Sequence, residues 1–66
     1  MTVYNMYLVL NDDEPIVIYD KYKGGKVCFK GSSYGIPYAL MDRKVHHVGV
    51  VQNKENRYKR LVIVID

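Results

Sequence analysis

Two stretches decide how this chain reads: Lys44-Val45-His46-His47-Val48-Gly49-Val50-Val51-Gln52 and Arg57-Tyr58-Lys59-Arg60-Leu61-Val62-Ile63-Val64-Ile65. Both are rich in Val and Ile, and the intervening Asn53-Lys54-Glu55-Asn56 is turn-compatible throughout, so the pair is expected to form a β-hairpin. A four-residue loop sets Gln52 opposite Arg57. Counting back pairs Val50 with Lys59, Val48 with Leu61 and His46 with Ile63 on one face. The other face pairs Val51 with Tyr58, Gly49 with Arg60, His47 with Val62 and Val45 with Val64. From Leu61 to Ile65 both faces are apolar. A strand of that kind is central or covered twice, which puts it inside the sheet, at a barrel seam or at a subunit interface.

Working outward, residues 2–10 alternate, with Tyr4, Met6, Leu8 and Leu10 on one face and Val3, Asn5, Tyr7 and Val9 on the other, the pattern of a strand. Asn11-Asp12-Asp13-Glu14-Pro15 collects turn formers, and residues 16–22 follow as a second strand. Lys23-Gly24-Gly25-Lys26 is a turn whose glycines permit positive φ, and Val27 to Lys30 form a third strand in meander order. After the loop Gly31-Ser32-Ser33-Tyr34-Gly35 the period changes. Pro37 suits a first helical turn, and Ile36 with Leu40 forms a helical stripe, so a short helix is expected over 36–42. The expected fold is one mainly β domain over residues 1–66, bordering on α+β. It is a five-stranded antiparallel curved sheet or small partly open barrel of order β-β-β-short helix-β-β. That order resembles the OB-fold.

Composition agrees with β-structure and limits the function. Among 66 residues there are ten valines, five isoleucines and seven tyrosines against four leucines and one alanine. At 48% hydrophobic and 26% charged, the chain has the balance of a folded domain. The net charge of +3 is a mild excess that favours anionic partners without requiring them. The lone Cys28 excludes an intramolecular disulfide and points to a reducing setting. The amino-terminal residues lack a signal-peptide pattern, and no apolar run reaches membrane-helix length, so the expected location is cytoplasmic and membrane partners are not expected. A domain this small is marginal in stability, and homodimer and monomer are equally compatible with it.

The candidate chemical motifs are incomplete. Adjacent His46 and His47 point to opposite faces of a regular strand and do not chelate together unless a bulge intervenes. Cys28 reads as a small filler between Val27 and Phe29, and Ser32-Ser33 as a backbone-satisfying pair outside any nucleophile elbow. Asp12-Asp13-Glu14 reads as a solvated hairpin tip, and Gly24-Gly25-Lys26 lacks the rest of a phosphate loop. No metal, cofactor or enzyme activity is expected. The broader signal is basic and aromatic: Arg57, Tyr58, Lys59 and Arg60 with Arg43 and Lys44 entering the partner strand, and Lys21, Tyr22, Lys23, Lys26 and Lys30 around the glycine turn. Cations track phosphates while tyrosines accept stacked bases, although Arg57 and Lys59 share one face and Tyr58 and Arg60 the other. Tyr34 and Tyr38 bracket the glycine and proline of the loop, where they can be presented as interface anchors.

By its size, its tyrosine, lysine and asparagine usage and its compact β-pattern, the whole chain resembles small cytoplasmic proteins of bacteriophages and mobile elements of low-GC bacteria. Several of these inhibit host defence systems by occupying a protein surface, a nucleic-acid channel or a signalling nucleotide. The resemblance implies a non-enzymatic binding protein that blocks or regulates a larger protein or ribonucleoprotein partner. Its tyrosines and flanking cations would make the contacts. Two other readings stay open: a nucleic-acid-binding module with an OB-like sheet, and a nucleotide-sequestering oligomer with its pocket between subunits.

Overall fold

The computed structural model describes residues 1–11, 13–52 and 59–66. Residues 2–10, expected as a strand, are instead largely helical: α1 spans Val3–Val9. Thr2 caps it in extended conformation, its Oγ1 accepting from the Asn5 N–H while Asn5 Oδ1 accepts from the Thr2 N–H at 2.9 Å. This reciprocal box satisfies first-turn donors locally. Tertiary contacts satisfy two more, as the N–H groups of Val3 and Tyr4 donate to the carbonyls of Arg43 and Met41, both at 2.9 Å. A seven-residue helix is too short to persist by propensity, and these long-range bonds fix it against the rest of the chain. Val3 is buried, and Tyr7 and Leu10 pack beside it on the same helical stripe.

Four strands follow: β1 (Pro15–Asp20), β2 (Lys26–Ser32), β3 (Val45–Gln52) and β4 (Lys59–Ile65). They form one mixed sheet of order β2-β1-β4-β3. β1 pairs antiparallel with β2 and parallel with β4, and β3 pairs antiparallel with β4. This corrects the expected five-stranded antiparallel sheet or partly open barrel, because the first expected strand is α1 and the two central strands run parallel. The short helix expected over 36–42 is also corrected. Two 3-10 turns, Ser33–Gly35 and Tyr38–Leu40, stand on either side of an extended Pro37. The OB-like order does not survive these changes.

The carboxy-terminal hairpin forms, with Gln52 opposite Lys59, Val50 opposite Leu61 and Val48 opposite Ile63. The register is two residues away from the expected one. A slip of two leaves the side chains from His47 to Gln52 on their expected faces, whereas Val45, expected with Val64 on the face of His47, stands opposite Ile65 because a bulge intervenes at His46. β4 lies inside the sheet, between β1 and β3. Between β1 and β2, Asp20 Oδ1 accepts from the N–H groups of Tyr22 and Lys23 to cap a 3-10 turn. The chain then reverses through Gly24 at φ 68° and Gly25 at φ 76°, the positive φ expected of them.

One face of the sheet carries the core. Ile16 and Ile18 of β1 and Ile63 and Ile65 of β4 meet Val3 of α1 and Ile36, so all five isoleucines are buried. Phe29 of β2 packs at the edge of this cluster, and a Cβ at Gly31 would come within 3.2 Å of its ring. Ser33, itself buried, ties the loop after α1 to this layer, its hydroxyl donating to the Asn11 carbonyl and its N–H to the Glu14 carbonyl. Arg43 clamps the far end: its Nη2 meets Asp20 Oδ2 at 3.1 Å, and its Nε donates to the Asp66 carbonyl at 2.7 Å. Burial alone would raise the Asp20 pKa. The hydrogen bond from Arg43, the Tyr22 N–H, the Arg43 charge and the Lys23 N–H outweigh burial and hold the carboxyl below its ordinary value.

Candidate binding surfaces

The helical layer carries an open cleft of about 810 Å³ lined by Thr2, Tyr4, Tyr7, Tyr38, Ala39, Met41 and Asp42. Its geometry follows from the backbone bonds that join α1 to residues 41–43. They set Tyr4 and Tyr7, one helical turn apart, beside the 3-10 turn that presents Tyr38. Tyr38 is 92% exposed, Tyr4 is 46% exposed, and Leu8 at 61% extends the apolar rim one turn along the helix. Asp42 is the one charged side chain among the lining residues. Large apolar groups left in water around a concavity are the usual mark of an interaction site.

The opposite face of the sheet is different in character. Side chains alternate on a strand, so the residues between the buried isoleucines point away from α1. On β1 and β4 these are Val17, Tyr19, Val62 and Val64, with Lys30 beside Val17 and His47 beside Val64. Arg60 lies at one end, lining a shallow depression with Asp13, Pro15, Lys30, Gly31 and Ser32. Among the described residues no helix or strand covers this face.

The residues singled out in the sequence therefore separate. Arg57 and Tyr58 lie outside the described residues. Lys59 and Arg60 are exposed at the start of β4, and Lys44 is exposed where it bridges Thr2. Arg43 is committed to Asp20 and the Asp66 carbonyl inside the fold. Tyr34 and Tyr38 are both exposed, but only Tyr38 joins the cleft. Tyr4 and Tyr7 went unrecognised as site residues because their stretch reads as a strand. The Thr-x-x-Asn spacing of Thr2 and Asn5, ahead of Val3, Met6, Tyr7 and Leu10 at helical intervals, is the signal that finds them.

The other motifs resolve as follows. A bulge does interrupt β3, since Val45 faces Ile65 while His47 faces Val64, leaving His46 as the extra residue with its Nδ1 3.6 Å from Asp66 Oδ1. Among the described residues no three His, Cys, Asp or Glu side chains converge for a metal. Cys28 is exposed at a second bulge, opposite the Ile18/Tyr19 step, rather than filling the core. Lys21 Nζ lies 5.8 Å from the Tyr22 ring centroid at the glycine turn. Asp12 of the acidic tip lies outside the described residues. Among those described, no helix is long and apolar enough to cross a membrane. Comparison with protein-family models, with curated proteins and with solved structures gives no match.

Proposed function

We propose that this chain is a non-enzymatic binding protein that engages a protein surface through the tyrosine cleft and so blocks or regulates a larger partner. The observation that carries the reading is Tyr38, 92% exposed at a cleft it shares with Tyr4, Tyr7 and Met41. Tyrosine offers a large rigid contact area with one polar tip and loses little entropy on ordering, and methionine adapts to irregular partners. A cation of the partner beside Asp42 would complete the contact. The resemblance to small phage-type inhibitors of host defence supports the same class of action, and the exposed thiol of Cys28 fits a reducing, cytoplasmic setting.

The nucleic-acid reading needs stacked bases and phosphate contacts on one surface. Tyr4, Tyr7 and Tyr38 line a cleft whose one charged lining residue is the Asp42 carboxylate, which repels phosphates; Lys30 and Arg60 lie on the opposite face of the sheet, and exposed Lys44 stands at its bridge to Thr2. This favours a protein partner. The test is a photo-cross-linking side chain placed at position 38 and, as control, at position 22, which is exposed at the glycine turn and does not line the cleft. The expected result is a protein adduct from position 38 and little from position 22. A nucleic-acid adduct, or equal yields from both positions, would overturn the reading.

A further inference from the structure

We infer that the tyrosine cleft seats an arginine side chain of the partner, an inference that rests on the cleft being the contact surface proposed above. What the lining offers a ligand depends on which polar groups the fold has already engaged. Thr2 lines the cleft at the start of α1, where free N–H groups would favour an anion. Here those groups are taken. The N–H groups of Val3 and Tyr4 donate to the carbonyls of Arg43 and Met41, those of Thr2 and Asn5 close the reciprocal cap, and the Thr2 hydroxyl is held by Asn5 as well. What remains is electron-rich. Asp42 is exposed, and no cation stands within ion-pair distance of it among the described residues. The face of a tyrosine ring carries negative potential and attracts cations. Among the described residues the one ring with a cation over its face is Tyr22, with Lys21 Nζ 5.8 Å from its centroid; the faces of Tyr4, Tyr7 and Tyr38 have none.

The chain's own cations beside Asp42 stay off this lining. Arg43 is tied to Asp20 and the Asp66 carbonyl, and Lys44 is exposed at its bridge to Thr2 without lining the cleft. In a chain of net charge +3, three tyrosines and one unpaired carboxylate therefore make a locally negative concavity, complementary to a cation. A guanidinium fits that set better than an ammonium. It is planar and weakly hydrated, stacks on an aromatic face, and presents a fork of N–H donors that one carboxylate accepts in pairs. A simple ammonium holds its water more strongly, and a quaternary one is recognised by an aromatic cage, whereas Tyr38 at 92% exposure encloses nothing. The cleft volume of about 810 Å³ exceeds that of one side chain, so the arginine arrives on an extended segment whose apolar neighbours lie against Met41 and the Leu8 rim.

The probe is the capped peptide acetyl-Leu-Arg-Leu-amide, titrated beside the same peptide with citrulline, which keeps the shape of arginine and removes its charge. Backbone amide signals followed by nuclear magnetic resonance should move at positions 4, 7 and 38–42. The arginine peptide should bind about tenfold more tightly than the citrulline one, the combined effect of a cation over a ring and an exposed ion pair. Asp42→Asn should remove most of that preference and leave the weak citrulline binding unchanged, with native circular dichroism because the side chain is exposed. Tyr38→Ala should weaken both peptides. Equal affinity for the two peptides would overturn the inference, as would a preference that survives Asp42→Asn. So would shifts confined to the opposite face around Lys30 and Arg60, or no binding of either peptide at millimolar concentration. Cross-linking from position 38 separates this inference from the reading beneath it. A protein adduct formed equally well by Asp42→Asn would remove the arginine and leave the cleft a protein contact, whereas no protein adduct from the native sequence background would remove both.

Discussion

Two adjacent residues of β4 should respond to substitution in opposite ways. Ile63 is fully buried, facing Ile18 of β1 across the parallel ladder and Val48 across the antiparallel one, under Val3 of α1. Ile63→Ala removes three buried carbons, about 2.4 kcal/mol at ~0.8 kcal/mol each, and the unfilled cavity brings the loss to about 3–4 kcal/mol. A chain of this length has about 3–10 kcal/mol in all. The variant should therefore lie near the edge of folding. With a urea slope of about 1 kcal/mol/M, its midpoint should fall by about 3 M. Val62 is half-buried and points to the other face of the sheet, and Val62→Thr should cost less than about 1 kcal/mol. Equilibrium urea unfolding followed by circular dichroism measures both. Equal losses at the two positions, or the larger one at Val62, would refute the assignment of the isoleucine core to the helix-covered face of the sheet.

Thr2→Ala should remove the helix cap and cost about 0.5–2 kcal/mol, with a loss of helical ellipticity that a strand over the same residues would not show. Gly31→Val should cost about 1–3 kcal/mol by driving a side chain into the Phe29 ring, and Phe29→Ala should relieve much of that clash in a double-mutant cycle; additive losses would contradict the close approach. Because the folded Asp20 carboxyl titrates below its ordinary value of 3.8, its contribution is present above that pH and is lost as pH falls through the lowered value. Asp20→Asn should therefore lower stability at neutral pH and flatten the acid limb of a pH–stability curve, whereas an unchanged acid limb would exclude the Arg43 clamp as a source of acid sensitivity.

What could be read in the sequence was the part governed by neighbouring residues. The alternation in 44–52 and 57–65 is strong enough to set the hairpin, and an error of two in the register left the faces from His47 to Gln52 intact because the strand period is two; the bulge at His46, which moves Val45 to the other face, is not written in that alternation. The glycine pair was legible because few other residues take its backbone angles. Residues 2–10 satisfy two periods at once, as Tyr4, Met6, Leu8 and Leu10 alternate while Val3, Met6, Tyr7 and Leu10 recur at helical spacing. The choice between them is made by the carbonyls of Met41 and Arg43, nearly forty residues away in sequence, which no local pattern reports. The parallel pairing of β1 with β4 is equally non-local. For the candidate site, an exposed Tyr38 was foreseeable from its loop. Its grouping with Tyr4 and Tyr7 follows only once α1 is a helix, and Arg43 reads as a free surface cation until Asp20 and the Asp66 carbonyl are seen to occupy it.

The central claim, that the tyrosine cleft holds a protein partner, is tested most directly by quantitative affinity capture from nuclease-treated lysate of the source cells, with the native chain, Tyr38→Ala and Arg60→Ala immobilised in parallel. The account predicts one protein retained by the native chain and by Arg60→Ala and depleted at least about tenfold by Tyr38→Ala, the loss typical of removing a tyrosine anchor. Retention of that protein by Tyr38→Ala, or its loss on nuclease treatment alone, would contradict it.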